Sequence, residues 1–368
     1  RGFADVQLTS RGDLRLLRSI AGQQQSTGLI TRGDMSLTAA QIYPVTGASA
    51  LIAAGALDMR GSSAQGWDPA GTLTIARTPG TDAEAPLSVF GVLNLAAPTI
   101  EQGGVVRAPL GALNIGYNTY SLGDGIAKPG STVRFLPGSE TSISAAGIVL
   151  PYGGTVDGIK YFYNGSEVRL KDASGLATDV LVFTGIDIAG LEIDVQEGAL
   201  LDLSGGGDLM GGGFVSGRGG SVDVLRTAFA NVNPVYGFSD PDNAVYAIVP
   251  GHAGYAPIGS DAGAGNPGVG RQITVPDGVP GLAAGTYTLM PSTYALLDGA
   301  FRVEIGKVAP TLDKVVAIDG MTYTAPGTLS TLGTSLRDVL PNAVFITPGK
   351  AIRNYSAYNE MGYDAFVL

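Results

Sequence analysis

The residues best placed to do chemistry are carboxylates. Between Asp172 and Gly217 the chain carries eight acidic residues and neither Lys nor Arg. Glu192 and Asp194 are two apart, so on a strand they share one face, opposite Leu191, Ile193 and Val195. Asp187 and Asp208 are 21 apart, close to one turn of the repeat described below, and are expected to stack. Converging hard oxygen ligands of this kind suit Ca²⁺, so Asp187, Glu192, Asp194 and Asp208 form the candidate metal set. The run Gly205–Asp208 occurs once and lacks the repeated Gly-Gly-x-Gly-x-Asp register of calcium-binding β-rolls; a solvated acidic face is the simpler reading. The same carboxylates in 187–208 also frame the alternative of a carbohydrate-active enzyme, a polysaccharide hydrolase or lyase using paired acids as general acid and base.

Two tripeptides, Arg11-Gly12-Asp13 and Arg32-Gly33-Asp34, match an integrin-binding sequence and are the candidate receptor-binding residues. Both precede a strand-like segment at the same register, so a corner glycine with ordinary charged neighbours is the simpler reading. His252 is the only histidine and has no nucleophile elbow near it in sequence, and there is no Cys. Thiolate chemistry, disulfides and multi-histidine metal centres are thereby excluded. No catalytic set is assigned, and no cofactor is expected beyond calcium.

The background to these residues is 368 positions, of which 56 are Gly, 15% are charged and 45% are hydrophobic. That apolar content is too high for a disordered acidic tail, and so much Gly argues against a helical bundle. A net charge of −10 without a basic run sets nucleic-acid binding aside. No stretch approaches the ~18 consecutive apolar residues of a membrane helix. The chain starts at Arg1 without a signal-like segment, which suggests a piece of something longer.

Seven apolar-polar-apolar tripeptides recur. They begin at Leu14, Met35, Leu57, Leu73, Leu93, Leu113 and Val133, at spacings of 21, 22, 16, 20, 20 and 20. Six follow a glycine by two residues: Gly12, Gly33, Gly55, Gly71, Gly91 and Gly111. Period-two alternation marks strands with one buried face. A fixed return of about twenty residues favours stacked parallel strands over an antiparallel sandwich, whose strands return every 8–12 residues. The expected fold is all-β: a right-handed parallel β-helix of ~20 residues per coil over residues 1–225, irregular after 140. Equivalent tripeptides would lie one above another, and the glycines would supply positive φ at the corners. Gln41-Ile42-Tyr43 and Gly104-Val105-Val106 would form a further face. Residues 226–368 are expected to be an irregular β-rich region, with strands at Gly285–Met290 and Phe301–Ile305 and one helical turn at Ser335–Leu340. Asn164-Gly165 predicts a hairpin between Ile159–Tyr163 and Val168–Leu170.

The coils resemble the shaft of filamentous haemagglutinin-type exoproteins of two-partner secretion. Leu200-Leu201-Asp202-Leu203-Ser204-Gly205-Gly206-Gly207, Gly219–Leu225, Gly281–Pro291 and Tyr294–Phe301 resemble a C-terminal region of very large members of that family. The resemblance implies an adhesin or filament component at the bacterial outer surface, exported unfolded and without catalysis. Its partners would be other parts of the same exoprotein, other surface proteins, copies of itself, or a host or neighbouring cell surface.

Overall fold

The computed structural model describes residues 3–17, 27–60, 63–116, 131–151, 153–156, 160–163, 166–171, 181–210, 212–214, 222–231, 239–252, 256–257, 270–306, 323–330, 337–349 and 358–360. These residues are overwhelmingly strand and turn. They fall into two compact units, the first of residues 1–147 with 169–206 and the second of 148–168 with 207–367.

Three parallel sheets build the first unit. The first sheet contains Val6–Thr9, Met35–Ala39, Thr72–Arg77, Thr99–Gly103, Thr132–Phe135 and Glu192–Val195, in that spatial order. The second contains Leu14–Leu16, Ile42–Pro44, Val105–Arg107, Glu140–Ser142 and Leu200–Asp202. The third contains Thr27–Ile30, Ser49–Ala53, Val92–Ala96, Ala112–Gly116 and Gly185–Ala189. The chain returns to the sheets in the order first, second, third, passing straight from the first to the third between Thr72–Arg77 and Val92–Ala96, an all-β arrangement consistent with a β-helix. Apolar residues from all three sheets, among them Leu37, Ile42, Ile52, Leu73, Leu93, Val106 and Phe135, join one buried cluster. Each strand is too short to hold alone; the shared core holds them together.

The twenty-residue return needs correction. Met35, Leu73 and Val133 lie on the first sheet, Leu14 on the second, and Leu93 and Leu113 on the third. Leu57 belongs to Ala56–Arg60, which pairs antiparallel with Ser63–Trp67 in an inserted hairpin. Leu93 does lie over Leu113, but Leu73 sits between Met35 and Ile100. All three are fully buried, as expected of inward residues. The tripeptide marks any inward-facing strand, whichever sheet it joins. One uninterrupted round, Leu93 to Leu113, takes 20 residues; the interval from Met35 to Leu73 takes 38 because it holds the hairpin.

The glycines also act differently from expectation. Of the six, Gly55 alone has positive φ, at 77°; the left-handed corners fall on Phe90 (59°) and Leu110 (51°), one round apart. The next residues, Gly91 and Gly111, are required by close approach. A Cβ on Gly91 would lie 2.6 Å from Pro44, and one on Gly111 would overlap the carbonyl oxygen of Gly91. Gly111→Ala should therefore cost about 1–3 kcal/mol as an overpacked contact, read from urea unfolding followed by Trp67 fluorescence. An unchanged or raised midpoint, the usual result of Gly→Ala at a compatible site, would show that the corners have room.

Later expectations divide. Leu191–Val195 and Leu200–Ser204 do supply strands of the stack. Leu181–Phe183 pairs in parallel with Ser166–Lys171, outside the three stacked sheets. Tyr163 lies opposite Ser166 in antiparallel pairing, as the hairpin prediction requires; Asn164-Gly165 itself lies outside the described residues.

Residues past 226 are more regular than expected. Ala244–Ile248, Phe301–Gly306, Arg337–Pro348, Tyr323–Ser330, Gln272–Val275 and Gly285–Thr288 form a six-stranded antiparallel sheet in that order. Met290, just past the last strand, bridges back to Ala247 on the first through N–H···O bonds of 2.8 and 3.0 Å. That bridge ties the two ends of the sheet together at one point. Tyr246, Ile248, Ile273, Val275, Phe301, Val303 and Ile346 pack on one side of it. Residues 337–340, expected to be a helical turn, begin the long strand Arg337–Pro348. The pattern of that stretch fits both periods, and pairing along the full strand decides it.

Candidate functional site

Outward-facing side chains of the second sheet form a chain of polar contacts that crosses rounds. The Arg107 guanidinium donates from Nε to Glu140 Oε1 (2.7 Å) and from Nη2 to Oε2 (3.2 Å), a bidentate pair. Its Nη1 donates to Gln41 Oε1 (3.0 Å) and to the Ala83 carbonyl (3.1 Å). Gln41 Nε2 then donates to Asp13 Oδ2 (3.1 Å) and to the Glu84 carbonyl (2.8 Å). Asp13, Gln41, Arg107 and Glu140 thus connect four rounds. The third round contributes no strand to this sheet; its loop, residues 78–91, offers the Ala83 and Glu84 carbonyls in place of one.

One step further, Ser142 lies over Arg107 and Asp202 over Ser142. Asp202 Oδ1 accepts from the Ser204 hydroxyl (2.6 Å) and amide (3.0 Å), and Oδ2 from the Ser142 hydroxyl (3.1 Å). The Ser204 hydroxyl is the main reason its carboxyl is held below the usual range, with burial opposing. On the third sheet Asn114 Nδ2 donates to Asn94 Oδ1 (2.8 Å), and Asn94 Nδ2 to the Ala50 carbonyl (3.0 Å). These polar groups are spent on neighbouring rounds.

The candidate metal ligands are spread out. Asp187 is on the third sheet, opposite Asn114. Glu192 and Asp194 are on the first, opposite Thr132 and Arg134. Asp208 pairs with Val149 in the second unit, so it is not the register partner of Asp187. Among the described residues no group of three or more His, Asp or Glu is gathered as a metal site. Glu192 and Asp194 do share a face, but Ile193 and Val195 opposite them are about half exposed rather than buried.

The two Arg-Gly-Asp copies are not equivalent: one leads into the second sheet, the other into the first. Both carboxylates are engaged. Asp13 accepts from Gln41, and Asp34 Oδ1 accepts from the Thr72 amide at 2.8 Å. The Asp34 amide donates to Asp5 Oδ1 at 3.1 Å. Burial raises the Asp13 carboxyl above its ordinary range, against hydrogen bonds from Gln41 and Tyr43 and the charges of Arg15 and Arg107. A raised acid destabilises the fold once pH rises past its unfolded value of about 3.9. Asp13→Asn should therefore match or exceed the wild-type melting temperature at pH 7, and lose that advantage near pH 3. Cell attachment should be unchanged. Lost attachment with folding intact would make Asp13 a receptor contact.

A second polar centre, unforeseen in the sequence, lies in the second unit. Arg302 and Glu304 are both 0% exposed. Glu304 accepts from the Phe229 amide (3.1 Å), Asn243 Nδ2 (2.9 Å), Arg302 Nη2 (3.0 Å) and, in a short contact, the Ser239 hydroxyl. Arg302 donates to the Val224 and Thr227 carbonyls at 2.8 and 3.0 Å, and its guanidinium stands 3.8 Å above the Phe229 ring. The sequence signal was two charges at i, i+2 in Phe301-Arg302-Val303-Glu304-Ile305, which reads as a solvent-facing row. Val224, Thr227, Phe229, Ser239 and Asn243 supply its contacts. A carboxylate that accepts from four donors fastens the residues around it. His252, whose amide closes a turn on the Val249 carbonyl at 3.2 Å, is a turn residue.

Comparison with protein-family models, curated proteins and solved structures gave no match to this chain.

Proposed function

We propose that the chain is a structural or adhesive segment of a large secreted or cell-surface exoprotein of the filamentous haemagglutinin type. In this reading the first unit is a right-handed parallel β-helix, a piece of the shaft, and the second unit is the region resembling the family's C-terminal text. One observation carries the proposal: polar side chains of the second and third sheets are used between rounds, in the Asp13–Gln41–Arg107–Glu140 and Asn94–Asn114 rows. Such rows lengthen and stiffen a stack. Catalysis needs groups aimed at an open volume instead. Among the described residues no helix is long and apolar enough to cross a membrane, consistent with a protein carried on the surface by its shaft.

Antibodies raised against the chain should label intact source cells, and deleting the segment should reduce attachment or the length of surface filaments. The purified chain should release no reducing ends or unsaturated products from a panel of polysaccharides. Labelling only after permeabilisation, or turnover of any polysaccharide, would overturn the reading.

A further inference from the structure

In its third round the chain leaves the second sheet. Thr72–Arg77 and Val92–Ala96 keep their places in the first and third sheets, but the second passes directly from Ile42–Pro44 to Val105–Arg107, which meet at Ile42 and Val106. The place of the missing strand is sealed from within. Ile42 and Val106 are buried in the shared core. Gln102 lies in the inward column between Ile75 and Phe135 and is 0% exposed. Its Oε1 accepts from the Gly104 amide (3.0 Å). Its Nε2 donates to the Gly104 and Glu140 carbonyls (3.2 and 3.0 Å) and to Thr141 Oγ1 (3.2 Å). A buried amide at a position that is apolar in both neighbouring rounds thus fastens the fourth round to the fifth.

The detour itself, residues 78–91, is anchored at both ends. Thr78 donates from its amide to the Ala39 carbonyl (2.9 Å) and from its hydroxyl to the Ser10 carbonyl (2.6 Å). At the other end Pro86, Ser88, Val89 and Phe90 are buried, and the Val89 amide donates to Thr46 Oγ1 (3.2 Å). Between these anchors the tip is exposed at Pro79, Gly80, Asp82, Glu84 and Ala85. Side chains tie it down. Thr81 Oγ1 donates to the Thr78 carbonyl (2.7 Å) and Arg77 Nε to the Thr81 carbonyl (3.2 Å). Arg107 Nη1 and Gln41 Nε2 reach from the sheet to the Ala83 and Glu84 carbonyls. Gln41, facing outward against this tip, is only 2% exposed.

We infer that residues 79–85 form a lid, clasped to the second sheet by Gln41 and Arg107, that lifts as a unit while the core beneath it stays closed. A segment held by a few surface bonds opens at a small fraction of the global unfolding free energy. Lifting breaks the two clasp bonds and turns the Gln41 amide and the Arg107 Nη1 donor toward solvent. The Ile42–Val106 contact and the Gln102 bonds lie beneath the lid and do not take part. The inference does not depend on the exoprotein reading.

Limited proteolysis of the folded 368-residue chain with a glutamyl endopeptidase tests it, with mass spectrometry locating the cuts. Cleavage of a transiently opened segment tracks its open population. The Glu84–Ala85 bond should be cut in urea well below the unfolding midpoint, while Glu101 and Glu140, in strands of the stack, resist. A chain nicked at Glu84 alone should keep the Trp67 unfolding midpoint of the intact chain. Gln41→Leu, remote in sequence from the cut, should speed it about tenfold by removing a clasp bond. Arg107→Lys, whose single ammonium cannot hold both Glu140 and Ala83, should act in the same direction; circular dichroism checks that each variant is folded. Resistance of Glu84 until the first unit unfolds, a midpoint that falls with the nick, or cutting in both folded variants at the wild-type rate would each overturn the inference.

Discussion

Glu304→Ala is expected to destabilise the second unit by about 3–5 kcal/mol, the cost of leaving a buried charge without its partner. Arg302 would keep its bonds to the Val224 and Thr227 carbonyls and its place over Phe229, but lose the counter-charge 3.0 Å away. The Phe229 amide and the Ser239 and Asn243 side chains would lose their acceptor at the same moment. Arg302→Ala should cost a similar amount, now stranding the carboxylate. Because the two act as a unit, the double variant should cost clearly less than the sum of the singles. Chemical denaturation followed by circular dichroism measures all three. Trp67, the chain's one tryptophan, lies in the first unit, so its fluorescence separates that unit's transition from the second's. Single-variant costs below about 1 kcal/mol would mean that water reaches the pair, as at a surface salt bridge.

That centre also shows where sequence reading runs out. Period-two alternation located Phe301–Ile305 as a strand, but alternation assigns two faces without saying what covers either. Arg302 and Glu304 look solvated until residues 224–229, 239 and 243, remote in sequence, pack on them. The first unit failed in a related way. Leu73, Leu93 and Leu113 were legible as inward strand residues, and all three are buried. Their sheet membership was not legible, because all three sheets point into one core and so carry the same tripeptide. Spacing then measures the distance between any two inward strands, and the hairpin 56–67 and the loop 78–91 alter it without changing the motif. The corner glycines were conspicuous for the right reason, steric demand, but the demand is contact between rounds at Gly91 and Gly111. Contact between rounds is also what the acidic residues could not reveal: two carboxylates about twenty residues apart stack only if the intervening chain makes one uninterrupted round.

The largest effect in the first unit is expected at Leu93. Its side chain is 0% exposed and lies between Ala50 and Leu113 on the third sheet, within the cluster that all three sheets share. Leu93→Ala should cost about 2–5 kcal/mol, according to how far the neighbours close the cavity. Leu93→Asp should cost more than Leu93→Ala, because it adds a carboxylate to a site whose register neighbours, Ala50 and Leu113, offer no hydrogen-bonding side chain. Total stabilities are typically 5–15 kcal/mol, so the first unit of this variant should be largely unfolded at neutral pH. The pH dependence has a definite sign. Burial would favour the neutral acid, so the folded-state pKa of the new carboxyl would lie above its unfolded value of about 3.9. The deficit relative to wild type should therefore be greatest well above that value and shrink as pH falls through the folded pKa toward it. Asn94→Asp is the control: the next residue points outward and is partly exposed, and its loss removes one side-chain bond to the Ala50 carbonyl, worth about 1 kcal/mol. Trp67 fluorescence during urea unfolding at pH 4 and pH 7 reads both variants. If Leu93→Asp and Asn94→Asp prove equally mild, or the Leu93→Asp deficit does not narrow at pH 4, Leu93 does not face a dry core and the stacked-sheet description of this unit fails.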